Sequence, residues 1–125
     1  MKSVCIIDDD SIYLMLARRL ITKYNLSDSI IEYTDGSEAF NELKLLLEGG
    51  ANLPDVIFLD VNMPIWDGWD FLDEFVKLNL SNYPEVYIVT SSTHSFDREK
   101  AATYAQVKRC IAKPIELEDL QEILG

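Results

Sequence analysis

The chain is poor in positive charge, in histidine and in cysteine, and it has no long apolar run. Lysine and arginine number 11 against 22 acidic residues, for a net charge of −11 over 125 residues. Such a surface repels nucleic-acid backbones and anionic membranes, so neither is expected as a direct partner, although a small basic patch is compatible with it. No stretch of roughly 18 or more apolar residues occurs, so no transmembrane helix is expected. The apolar run after the N-terminus, Val4-Cys5-Ile6-Ile7, is too short for a signal-peptide core, and a cytoplasmic location is expected. Cys5 and Cys110 lie far apart, each in an apolar run, which reads as two buried reduced thiols rather than a disulfide or a metal site. Internal repeats, low-complexity tracts and linkers are also missing.

What remains is ordinary for a globular domain: 48% hydrophobic and 26% charged residues, and a length that suits one domain with one core. Apolar runs alternate with amphipathic segments throughout. Strands are expected at Val4–Ile7, 29–33, 56–59, 86–89 and 107–112. Between them, Ile12, Leu16 and Leu20 recur at helical spacing, with Arg18 and Arg19 on another face. Ala39, Phe40, Leu43, Leu46 and Leu47 form a second stripe, closed by Gly49-Gly50. Phe71, Leu72, Phe75 and Val76 mark a third helix after the Pro64 and Asp67-Gly68 loop signals. A fourth, with Ser95 as a candidate cap, has few large apolar residues and should be the least firmly packed. Leu117, Leu120, Ile123 and Leu124 make a short last helix. Nothing follows it, so no attached output domain is expected. Five strands alternating with five helices imply a parallel sheet covered on both faces.

The polar residues fall at informative places. Asp8 and Asp9 follow the first strand, Asp60 ends the third, Thr90 the fourth and Lys113 the fifth. Open parallel sheets bind ligands outside the carboxyl ends of their strands, so these residues should share one rim. Three carboxylates crowded there repel by about 1 kcal/mol per pair at about 4 Å, even at the dielectric of water. A hard divalent cation such as Mg²⁺ relieves this, and it also binds phosphate oxygens. Lys113 adds an ammonium and Thr90 a hydroxyl. A carboxylate can attack phosphorus to give an acyl phosphate. Asp60, at the centre of the rim, is the best nucleophile. Asp9 is the better direct metal ligand and Asp8 the outer one.

The pieces Ile6-Ile7-Asp8-Asp9-Asp10, Leu59-Asp60-Val61-Asn62-Met63-Pro64, Asp67-Gly68, Val89-Thr90-Ser91-Ser92 and Lys113-Pro114, in this order and spacing, resemble the receiver domain of two-component response regulators. Asp35-Gly36-Ser37-Glu38-Ala39 fits the second strand–helix junction of that family. The resemblance spans the whole chain, so residues 1–125 read as one stand-alone, chemotaxis-regulator-like receiver domain. It implies a flavodoxin-like doubly wound fold of strand order 2-1-3-4-5. It further implies that Asp60 is the phosphoacceptor, with Mg²⁺ held by Asp8, Asp9, Asp60 and the backbone carbonyl of Asn62. Thr90 and Lys113 would contact the phosphoryl group, Ser91 would be small enough to admit it, and Lys113-Pro114 would be cis. The side chains of Asn62 and Ser92 would tune hydrolysis. The donor would be a histidine kinase or a histidine phosphotransfer protein, acting on a monomer or weak dimer that signals to a downstream protein. Such a domain assists its own phosphorylation and dephosphorylation rather than serving as an enzyme. One position departs from the family: an aromatic residue usually stands three before the lysine, and here it is Cys110, which puts the usual coupling to the output face in doubt.

Plainer readings stand beside these. Asp10 reads as a helix cap. His94 reads as an exposed loop residue rather than a base. Trp69 reads as core, while Trp66 is either a docking aromatic or one folded onto the surface. A haloacid-dehalogenase-type phosphatase would use Asp8-x-Asp10, but Ile12 leaves that pattern incomplete and no cap insertion is present. A phosphorylation-independent scaffold has intact Asp9, Asp60, Thr90 and Lys113 against it, although Cys110 keeps that alternative open. A flavin carrier conflicts with the acidic loop after the first strand.

Overall fold

A computed structural model describes the whole chain apart from residues 92–94, with only the backbone of Ser95 and Phe96. Five strands, β1 (Val4–Ile7), β2 (Ile30–Tyr33), β3 (Val56–Leu59), β4 (Glu85–Thr90) and β5 (Val107–Ala112), alternate with helices α1 (Ser11–Lys23), α2 (Gly36–Glu48), α3 (Gly68–Val76), α4 (Ser95–Ala101) and α5 (Leu117–Leu124). The strands pair in the order β2-β1-β3-β4-β5, all parallel. Among the described residues no helix is long and apolar enough to cross a membrane.

Because side chains alternate across a strand, each central strand feeds two cores. Cys5, Ile7, Ile57, Leu59, Val86 and Ile88 pack beneath α2, α3 and α4, against Leu43, Phe71, Phe75 and Ala101. Val4, Ile6, Val56, Phe58, Tyr87 and Val89 pack beneath α1 and α5, against Ala17, Ile21, Leu120 and Ile123. β1 and β3 are buried along their whole length, as two-faced coverage requires. Cys5 is buried as expected; Cys110 is only half-buried, because β5 is the outer strand of the sheet.

The α1 stripe needs correcting. Ile12 and Leu16 are 65% and 47% exposed, and the buried face is Tyr13, Leu14, Ala17 and Ile21. Residues 12–17 are all apolar, so periodicity alone admits either phase. The helix start is set by Asp10, whose side chain accepts from the N–H groups of Ile12 and Tyr13. The α2 stripe holds at Ala39 and Leu43, with Phe40 and Leu46 partly buried and Leu47 at the exposed margin. Gly49 caps that helix, and Gly50, at φ 77°, carries the left-handed turn that follows. The proposed Ser95 cap, His94 and Ser92 lie outside the described residues and side chains.

Candidate functional site

The rim is built by the last backbone hydrogen bonds of the sheet. Asp8 N–H donates to Tyr33 O at 3.0 Å, Asp60 N–H to Ile7 O at 2.9 Å, and Lys113 N–H to Thr90 O at 2.9 Å. Each residue is thus the first past its strand, with its main chain still tied to the neighbouring strand. Gly68, the first residue of α3, lets that helix close onto the same place. A Cβ there would stand 2.6 Å from the Asp60 carbonyl oxygen and 2.8 Å from the Val61 Cα. Both are backbone atoms, so Gly68→Ala must shift β3 or α3. Chemical denaturation should show a loss of about 1–3 kcal/mol.

Asp8, Asp9, Asp60 and Lys113 meet, and Thr90 is joined to them through Asn62. Carboxylate oxygens of Asp8, Asp9 and Asp60 lie within 4.8 Å of one another. Asp8 and Asp60 are 1% and 4% exposed, whereas Asp9 is exposed. Lys113 Nζ sits 2.7 Å from Asp8 Oδ2 and 3.5 Å from Asp60 Oδ2. Asp8 Oδ1 accepts from Asp10 N–H at 2.9 Å, while its buried Oδ2 is paired with the Lys113 ammonium. Asp60 Oδ1 accepts from Asn62 N–H at 3.0 Å. The Asn62 side-chain amide donates to Thr90 Oγ1 at 3.0 Å. Ser91 is exposed beside Thr90. The Lys113–Pro114 bond is cis, as expected.

The electrostatics follow from this crowding. Desolvation pushes the Asp60 carboxyl up to about 6 from its ordinary 3.8, and the charge of Asp8 adds to the rise, against the Asn62 N–H and Lys113. Asp8 is raised as well, again chiefly by desolvation, with Lys113 and the Asp10 N–H opposing. Burial works against the Lys113 charge, but the two carboxylates outweigh it and raise its pKa. Two buried acids and one ammonium leave net negative charge in a polar recess. Three hard oxygen donors whose charge one ammonium does not balance fit a divalent cation such as Mg²⁺.

Three participants escaped the sequence reading. Tyr13, on α1, places its ring 4.6 Å from Lys113 Nζ; a tyrosine in an apolar helix signals only core. The Asn62–Thr90 hydrogen bond and the close approach at Gly68 also need coordinates, although Asp67-Gly68 was visible as a turn. Of the tryptophans, Trp69 is buried and stacked on Tyr104, and Trp66 is half-buried against Phe40, with ring centroids 5.9 Å apart in both pairs. Trp66 is therefore folded onto the surface. Next to it the loop turns at Ile65, whose φ of 66° costs a β-branched residue roughly 1–2 kcal/mol.

A family model described as the response regulator receiver domain matches residues 4–125. The chain is 27% identical over 118 residues to a probable methanogenesis regulatory protein, FilR2, of Methanothrix harundinacea, covering 94% of this chain and 76% of that protein. It is 29% identical over 127 residues to the chemotaxis protein CheY of Thermotoga maritima, covering 99% and 95%. Other curated relatives are far longer, and the chain spans 45% of one and as little as 13% of another. Among solved structures, a two component response regulator from Cytophaga hutchinsonii superposes with a TM-score of 0.87 at 31% identity, covering 97% of this chain and 92% of that one.

Proposed function

Because this chain belongs to the response regulator receiver family, we propose that it is a phosphorylation switch in which Asp60 accepts a phosphoryl group from a phosphohistidine donor. The observation that carries this reading is the meeting of Asp60, Asp8, Asp9 and Lys113 at one rim. Asp60 Oδ1 is tied by the Asn62 N–H, which leaves Oδ2, the atom beside Lys113, to bond to phosphorus. As the Oδ2–P bond forms, the P–N bond of the donor breaks, and the histidine keeps the electron pair and takes a proton from solvent. Asp8, Asp9, Asp60 and the backbone carbonyl of Asn62 would hold Mg²⁺, which when bound offsets the charge of the carboxylates and of the transferred oxygens. Lys113 places its ammonium against the same oxygens.

Thr90 supplies the readout. Its hydroxyl accepts from the Asn62 amide in the unmodified protein. A phosphoryl group on Asp60 offers that hydroxyl a stronger, charged acceptor. Thr90 then turns to it, the Asn62 amide is released, and the surface presented to a downstream protein changes. A histidine kinase or a histidine phosphotransfer protein is the donor. Asp10 argues against a phosphatase built on Asp8-x-Asp10, because its carboxylate is committed to capping α1.

Incubation with a small phosphodonor and Mg²⁺ should add one phosphoryl group to the wild type, mapped by mass spectrometry to the peptide containing Asp60. Labelling that is independent of Mg²⁺, or that maps elsewhere, would refute the assignment.

A further inference from the structure

We propose that Tyr13 is a positioning residue for Lys113, its ring face holding the ammonium in place while the neighbouring carboxylate changes its chemistry. This rests on the reading of Asp60 as the phosphoacceptor. Lys113 leaves β5, at the margin of the sheet, and its side chain must pass β4 to reach Asp60 after β3 and Asp8 after β1. A long, flexible stem crossing that distance needs its end fixed. Three groups do so: Asp8 Oδ2 at 2.7 Å, Asp60 Oδ2 at 3.5 Å, and the Tyr13 ring with its centroid 4.6 Å from Nζ.

The three differ in what phosphorylation does to them. Asp60 Oδ2 gives up its charge when it bonds to phosphorus. Asp8 shares its charge with any bound cation. The attraction between an ammonium and an aromatic face depends on neither event. Tyr13 is also rigidly held. It is buried in the core beneath α1 with Ile111 and Ile115, and its N–H donates to Asp10 Oδ1 at 3.2 Å. The ring therefore keeps the ammonium at the rim as its partner changes from carboxylate to phosphoryl oxygen.

The test keeps the ring and changes its electrons. Tyr13→Phe is the reference, followed by phenylalanines carrying one, two and three fluorines at position 13, which withdraw density from the face at nearly constant shape. The rate of phosphoryl uptake should fall stepwise, reaching about fivefold for the trifluorinated ring and for Tyr13→Leu. A second readout needs neither metal nor donor. In the metal-free protein the Lys113 methylene protons next to Nζ should show an upfield ring-current shift by NMR that disappears in Tyr13→Leu. A flat fluorine series, or no ring-current shift in the wild type, overturns the proposal. If the wild type takes no label at all, the reading of Asp60 falls, and the NMR measurement still decides whether Tyr13 holds Lys113.

Discussion

Asp60→Asn should give a protein that accepts no phosphoryl group and yet, without metal, unfolds at a higher temperature than the wild type. The first half follows from removing the only atom proposed to bond to phosphorus. The second follows from the crowding. The folded protein holds a proton on Asp60 up to about pH 6, whereas the unfolded chain releases it near 3.8. Folding therefore binds protons in that window, and stability falls as pH rises through it. At neutral pH the wild type carries the full cost of a charged Asp60, and asparagine does not. The amide still accepts from the Asn62 N–H, but its NH₂ faces Lys113, which trims the gain. After discounting for solvent screening, a stabilisation on the order of 1–2 kcal/mol is expected, or roughly 3–10 °C in the melting temperature. The difference should shrink as pH falls from about 6 towards 4, the range in which the folded wild type regains its proton while the unfolded chain still lacks it, and in Mg²⁺, which stabilises the wild type more than the variant. A metal-free variant that melts below the wild type would show that the rim carries no surplus of negative charge.

Lys113→Met should act in the opposite direction. The methionine keeps much of the side-chain length but leaves Asp8 and Asp60 buried without their counter-ion. Breaking a buried pair by removing one partner is costly; here the acids can take up protons, so a loss of about 2–4 kcal/mol in metal-free buffer at neutral pH is expected. Acidification should restore much of it, because the freed carboxylates bind protons more tightly in the folded state than in the unfolded one. Phosphoryl uptake should fall by about 10²–10³-fold, the usual effect of deleting one charge-stabilising group. Urea titrations at pH 5 and 7.5 and a labelling time course would measure both. A variant as stable as the wild type at pH 7.5 would mean that Lys113 contributes nothing to holding the two acids.

The strand order came with the family resemblance, whereas the meeting of Asp8, Asp9, Asp60 and Lys113 was legible because each follows an apolar run that ends at the same edge of the sheet. A polar residue ending an apolar run has only one rim to occupy. The phase of α1 was not legible, since six apolar residues in a row erase the contrast on which periodicity depends. Side-chain meetings between distant segments, such as Tyr13 with Lys113 or Asn62 with Thr90, leave no trace in spacing at all. Gly68 lies between these cases. Its turn signal was plain, but its purpose, the approach of α3 to the Asp60 carbonyl, is a matter of ångströms.

The rim residues are anchored through main-chain bonds that ignore side-chain identity. Scaffold and reagent are therefore separable in this molecule. Exchanging a rim side chain changes the charge balance of the site while the main-chain bonds beneath it stay in place. For protein engineers the rim is thus a place where chemistry can be rewritten on a fixed strand pairing, provided the charges left behind are rebalanced.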